Sequence, residues 1–487
     1  MIRERMRSRV NWASVARNVG YVLLTASIGI FLIALVNQSP WVMSLASLCI
    51  CLAFASFDLS RASKGEITPA TLYALSLAAT SAANMIAFLS ADGPNRSLYF
   101  LYVVEDQLLL STMLTLAGAV FPIVGFHAIT KHPLFREGVR ILPDVSWTVS
   151  DSRLVGGALV LTLLSYLLRS AGTFPGFGTI SFLILAIPTL AAFTLARAGA
   201  ARRVPRAIIA ALAIAVAESV RAAFQAYLRV EIVTPLFAFV AGTLLGARSF
   251  APMLTRHFVP IYLAGTVFVL YFGTFGELRS ETTGGLDRLS RMYEYQGGLN
   301  ELEAEKQQPL HSRLTDFNQM SQVARLVRED GYLDGQTLEY LGFAFIPRFL
   351  WPGKPLIAKG SWFAMRIGQA RIGQDGKITN SINMTIPGEL YLNFGWMGVI
   401  LGGLFFGGLM GVLWHKTNFW SDTHNVLGSA FGFYLLSIAA GTAADLQIIV
   451  TMIAAYLVFA AAGSLLRSHN ALRGSPLPAR ATFLRKA

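Results

Sequence analysis

The sequence predicts an all-α, polytopic membrane protein with about twelve transmembrane helices and one long outer loop. Three observations carry this. Hydrophobic residues fill 54% of the 487 positions and charged residues only 14%, where a soluble chain carries roughly a quarter. Apolar runs of about 17 to 25 residues recur, each able to cross a ~30 Å hydrocarbon core. Basic residues collect in alternate connections, which orients such helices in a membrane.

The runs predict helices near 19–36, 41–57, 70–90, 107–129, 154–169, 178–196, 206–228, 231–247 and 258–276, then 386–414, 426–440 and 445–465. The run at 154–169 is short, and 386–414 is long enough to tilt or bend. The basic N-terminus "MIRERMRSRVNWASVARN" precedes a run too long for a signal-peptide core and without a small-residue cleavage site, so it reads as a retained first helix.

Charge orients the series. The termini and even-numbered connections hold most of the Lys and Arg, among them Arg61, Lys131, Arg202, Arg203, Lys416 and Arg467. Short odd-numbered connections hold only Arg96, Arg169, Arg221 and Arg229. Both termini are therefore expected in the cytoplasm. The segment 277–385 follows the ninth helix and by parity lies outside. The chain divides into an N-terminal bundle (1–276), this loop (277–385), and a C-terminal helical part with a basic tail (386–487).

The net charge of +13 does not point to nucleic acid, because the cations sit in connections between spans. Cys49 and Cys51 share one apolar run, and no Cys/His cluster has metal-ligand spacing. No cofactor is expected: there is no P-loop, no HExxH and no DxD in a cytoplasmic connection.

Ionisable residues inside spans are costly and mark function by default. Here they sit in outer halves. Glu218, Arg221, Gln225 and Arg229 fall within a stripe of about 80° on the seventh helix. That stripe reads either as a Glu218–Arg221 pair tying helices together or as the wall of an outward cavity. Glu389 opens the tenth helix. In the loop, "SRLTDFNQMSQVARLVRED" predicts an amphipathic helix with Leu314, Phe317, Met320, Ala324 and Val327 on one face. A turn at "DGYLDGQT" follows, then "GFAFIPRFLWPGKP" from Gly342 to Pro355. There Pro347, Pro352 and Pro355 restrict the backbone that carries Arg348 and Lys354. The nearby Phe343, Phe345, Phe349, Trp351 and Trp362 suit lipid or sugar contacts, or anchoring at the interface. Guanidinium and ammonium groups fixed at an outer-leaflet surface suit a lipid pyrophosphate.

"FIPRFLWPGKP" (Phe345–Pro355), preceded by "GQTLEYL" (Gly335–Leu341) and followed by "GELYLNFGWMGVILGGLFFGGLMG" (Gly388–Gly411), resembles the Wzy-type O-antigen and exopolysaccharide repeat-unit polymerases. The resemblance covers about residues 311–411. It implies a bacterial inner-membrane glycosyltransferase with a periplasmic loop. Such an enzyme transfers a growing glycan from undecaprenyl pyrophosphate to a new lipid-linked repeat unit, without nucleotide or metal. Arg313, Arg348 and Lys354 occupy the stretches in which the family relies on loop cations; Arg221 comes from the helical stripe. His311, Asp316 and Glu389 are the candidate bases for the acceptor hydroxyl. The expected partners are undecaprenyl-pyrophosphate-linked glycans and membrane lipid, with a chain-length regulator a candidate. An O-antigen ligase and a lipid-linked oligosaccharide flippase are the alternatives.

Overall fold

The structure is a computed structural model that describes residues 12–61, 66–89, 103–131, 142–170, 178–225, 229–247, 315–344, 346, 350–355, 359–372, 378, 381–441 and 446–472. Among them it is helical, with two isolated β-bridges and no strand. The helices are α1 (Trp12–Val36), α2 (Pro40–Arg61), α3 (Pro69–Leu89), α4 (Leu108–Lys131), α5 (Asp151–Ser170), α6 (Gly178–Arg202), α7 (Pro205–Gln225) and α8 (Arg229–Ala247). Then come α9 (Phe317–Asp330), α10 (Lys359–Arg366), α11 (Ile386–Thr417), α12 (Val426–Ala440) and α13 (Gln447–Leu472). Eleven of the expected runs coincide with helices; the twelfth, 258–276, lies outside the described residues. Among the described residues seven helices are long and apolar enough to cross a membrane, and α8 and α12 contribute shorter apolar stretches.

Contacts sort the helix ends into two sets. At one end His127, finishing α4, lies 3.0 Å from Asp58 near the end of α2. Lys416, finishing α11, reaches Asp144 at 3.1 Å, and Arg202 of α6 pairs with Asp151 at the start of α5. Asn425, capping α12, donates to the carbonyls of Val145 and Thr417 at 2.9 Å each. The other end carries α9, α10 and the turns between them; it is called the loop end below. The contacts at the first end, with Arg202 bonded to the Thr423 carbonyl and Trp420 to the Ile67 carbonyl, gather the ends of α2, α4, α6 and α11 and the starts of α5 and α12.

Three apolar clusters hold the described bundle. The largest joins α2, α3, α4, α6 and α8 to α13, the second lies among α5, α6 and α7, and a small third sets Phe317 of α9 against Ala87 of α3. Arg197 of α6 is 1% exposed, bonds the Ser429 hydroxyl and the Phe419 carbonyl, and lies 4.1 Å over the Phe419 ring. It ties α6 to the turn before α12. The α4–α11 seam needs glycine: a Cβ at Gly403 would sit 3.0 Å from Phe121, and one at Gly407 would strike the Pro122 carbonyl. Pro122 also lacks an N–H, so the Gly118 carbonyl has no helical donor. The Tyr73 hydroxyl supplies one at 2.9 Å.

The expected bend in α11 is a sharp elbow. Gly395 has φ 61° and ψ −150°, between two helical segments. Leu390, before the elbow, packs onto Gly398 and Gly402 after it. Pro387 lies against Gly118 while Gly403 lies against Phe121 and Pro122, one turn further along α4. A straight helix would hold residues 387 and 403 about 24 Å apart. The first segment, 386–394, therefore doubles back into the bundle. The second, 396–417, is about 33 Å long and suffices to span alone. Breaking the helix frees the carbonyls of Leu392 and Asn393. The turn after α9 fills them, with Leu333 N donating at 3.0 Å and Asp334 N at 3.1 Å.

Candidate functional site

The segment 277–385 is expected as a loop outside the membrane. Its described part, within 315–385, packs against the loop end of the bundle at two places, each at a buried carboxylate. α9 forms as its apolar stripe predicts: Phe317, Met320 and Ala324 are buried and Val327 half-buried, while Leu314 lies outside the described residues. The positive φ of Gly331, Asp334 and Gly335 makes the expected turn after it.

Asp316, one of the candidate bases, precedes α9. Asn84 of α3 donates to its Oδ1 at 2.8 Å and Thr115 of α4 to its Oδ2 at 2.7 Å. The residue is half-buried overall, but its carboxyl is enclosed. Burial pushes that carboxyl above its ordinary value, against the lowering effect of bonds from Asn84, Thr115 and its own backbone. It lines a cavity with Tyr73, Thr115, Thr385, Pro387, Phe406 and Gly441. The free space for the centre of a water molecule is about 10 Å³, room for roughly one water.

Glu389, the second carboxylate candidate, lies in the first turn of α11 and has 0% exposure. Its Oε1 accepts from Lys359 Nζ at 2.7 Å and from Thr337 Oγ1 at 3.1 Å; its Oε2 accepts from Leu446 N at 3.0 Å. Lys359 also donates to the Tyr340 hydroxyl at 3.0 Å. Asn393, one turn on, donates to Thr337 Oγ1 at 2.7 Å. One carboxylate thus holds α10, the turn Gln336–Gly342, α11 and the start of α13. Asp316 and Glu389 both border the first turn of α11.

The cations are placed differently. Lys354 donates to the carbonyls of Ala344 and Ile346, both at 2.9 Å, bracing the stretch between them. Trp351 meets Phe343 edge-on at 5.8 Å, and Trp351 and Trp362 are exposed. Arg221 donates to Glu218 Oε1 at 2.7 Å, and Arg169 of α5 donates to the same oxygen at 2.8 Å. Arg169 also bonds the Leu185 carbonyl of α6. Arg169 thus ties α5 and α6 to α7, while the Arg221–Glu218 bonds lie within α7. Arg229 starts α8 and so does not extend that stripe. His311, Arg313 and Arg348 lie outside the described residues.

Sequence reasoning missed Asn84, Thr115, Arg169 and Lys359. Asn84 had a readable signal, an amide inside an apolar run; Lys359, which begins α10 well before α11, had only its place in a polar segment. Thr115 and Arg169 had none, because a threonine in a span and an arginine at a helix end are both ordinary.

No protein-family model, no curated protein and no solved structure matches the chain.

Proposed function

We propose that this protein is a glycan polymerase of the bacterial inner membrane. It would act on undecaprenyl-pyrophosphate-linked repeat units at the periplasmic face. The observation that supports this most is the fixed platform at the loop end. Two buried carboxylates, each bonded to elements far apart in sequence, hold the start of α9, the turn Gln336–Gly342 and α10, which flank in sequence the stretch carrying Lys354. A diphosphate leaving group needs cations that do not reorganise as charge develops. A proline-restricted stretch braced by Lys354 meets that need.

In the reaction, a hydroxyl oxygen of the incoming repeat unit bonds to the anomeric carbon of the growing glycan. The anomeric bond to pyrophosphate breaks, and undecaprenyl pyrophosphate leaves with the electron pair. Arg313 and Arg348 are the residues proposed to neutralise it, with Arg221 at the rim. The hydroxyl proton goes to a base. Glu389 is bonded to Lys359 and the Asp316 carboxyl is enclosed beside a cavity with room for about one water, so of the three candidates His311 is assigned this role.

Glycan length in the native host tests the proposal. Deletion, or Arg348→Ala with the protein still inserted, is expected to leave surface glycans of one repeat unit. Long lipid-linked chains that never reach the surface would indicate a ligase, and cytoplasmic accumulation of lipid-linked units a flippase. Unchanged long chains would refute the assignment.

A further inference from the structure

The enclosed Asp316 carboxyl has a feature that neither chain positioning nor the transfer chemistry requires. Its partners are neutral: the Asn84 amide at 2.8 Å and the Thr115 hydroxyl at 2.7 Å. Asp316 stands at the N-cap of α9, yet its side chain makes no capping bond to the first-turn amides. It turns instead to α3 and α4. Among the described residues no Lys, Arg or His forms an ion pair with it, in contrast to Glu389 with Lys359 and Glu218 with two arginines. The cavity beside it has room for about one water. It is bordered by the Tyr73 phenol, which donates to Gly118, and by Thr385 and Gly441 just past the C-terminal end of α12. Carbonyls at a helix C-terminus disfavour a nearby negative charge. A bare carboxylate in such surroundings is costly unless its charge is removed.

We propose that Asp316 is a proton-binding site that latches the inserted ends of α9 and α11 to α3 and α4. A proton fits better than a metal cation. The two donors already close on the carboxyl at hydrogen-bond distance, leaving no gap for an ion between them. Thr115 can also accommodate the protonated form. Its hydroxyl lies 2.7 Å from Asp316 Oδ2 and 3.2 Å from the Ser111 carbonyl. With the carboxyl protonated, Asp316 donates to Thr115 and Thr115 donates to Ser111. With the carboxyl ionised, Thr115 turns its proton back to Asp316. Loss of the proton places a charge against neutral groups, and the inserted ends then admit solvent. The reading of this latch as regulation of the loop cations rests on the function proposed above; the proton site itself does not.

The test uses the full-length protein in lipid bilayers with Cys49→Ser and Cys51→Ser, and Leu77→Cys as a reporter on the cavity wall. Reaction with a polar thiol reagent is followed against pH. Each rate is taken as a ratio to the same protein carrying Asp316→Asn, which cancels the reporter's own ionisation. The ratio is expected near one at acid pH and to rise several-fold as pH increases. A flat ratio overturns the proposal, as does a ratio set by sodium concentration instead of pH. Infrared difference spectroscopy of the protein without the reporter gives a second reading. A protonated-carboxyl band that persists above the ordinary carboxylate range and is lost in Asp316→Asn supports the site, and its absence in the starting protein overturns it. Neither measurement involves a glycan, so failure here and failure of the polymerase reading are distinguishable.

Discussion

The Lys359 ammonium lies 2.7 Å from Oε1 of Glu389, a carboxylate with no solvent exposure. Removing one partner of such a pair leaves the other charged and buried, which typically costs about 3–5 kcal/mol. Glu389→Ala is therefore expected to destabilise the protein by about that amount, read as a lowered midpoint of thermal unfolding in detergent. Replacing both partners, as in Lys359→Met with Glu389→Leu, is expected to cost much less than the two single changes summed. An additive pair of effects would mean that the charges are not coupled.

Gly395 has φ 61°, and a Cβ there would meet the Tyr332 hydroxyl at 2.8 Å. Gly395→Ala combines backbone strain of about 1–3 kcal/mol with the displacement of Tyr332. Proteolysis within the turn Gly331–Gln336 is expected to accelerate, because that turn is bonded to the carbonyls the elbow frees. Gly29→Ala in α1, where a Cβ meets nothing within 4 Å, serves as the neutral control.

Asp316 gives a signed pH dependence. Its folded-state carboxyl is raised by burial, so the folded chain binds that proton more tightly than the unfolded chain. Stability then falls as pH rises from the unfolded value through the folded one. Asp316→Asn is expected to flatten this slope. Denaturant midpoints measured across that interval for both proteins decide it, and parallel curves would contradict the raised carboxyl.

Glu218 divides its bonds between Arg169 and Arg221, with side-chain exposures of 12% and 26%. Hydrogen bonds to charged groups contribute about 1.5–3 kcal/mol. Arg169→Ala removes a more buried partner and also the bond to the Leu185 carbonyl, so it is expected to destabilise more than Arg221→Ala. Unfolding midpoints of the two variants give the order. If holding Glu218 is the whole role of Arg221, its loss leaves glycan length unchanged; if it also contacts substrate, glycans shorten.

The helices were legible because apolar run length and charge alternation are local properties. Eleven runs coincide with helices, though α1 begins and α6 and α13 end well outside theirs, and α9 appeared with its predicted buried face. The elbow was not legible. A glycine in "NFGWMG" looks the same whether it loosens a helix or reverses it, and only the packing of Leu390 on Gly398 and Gly402 tells them apart. Packing of the loop against the bundle was hidden for a related reason. Asp316 and Glu389 read as outer polar residues, whereas their partners Asn84, Thr115 and Leu446 are brought to them only by the fold. The polar stripe on α7 showed where charge accumulates, but Arg169, which completes that cluster, belongs to a different helix.

Reconstitution measures the central claim most directly. The purified protein in proteoliposomes is given one lipid-linked repeat unit and nothing else, and products are resolved by length while free undecaprenyl pyrophosphate is counted. The account predicts a ladder of repeat units, one pyrophosphate lipid released per bond formed, and loss of both in Arg348→Ala. Folded, correctly oriented protein that leaves the repeat unit at its original length and releases no lipid would contradict it.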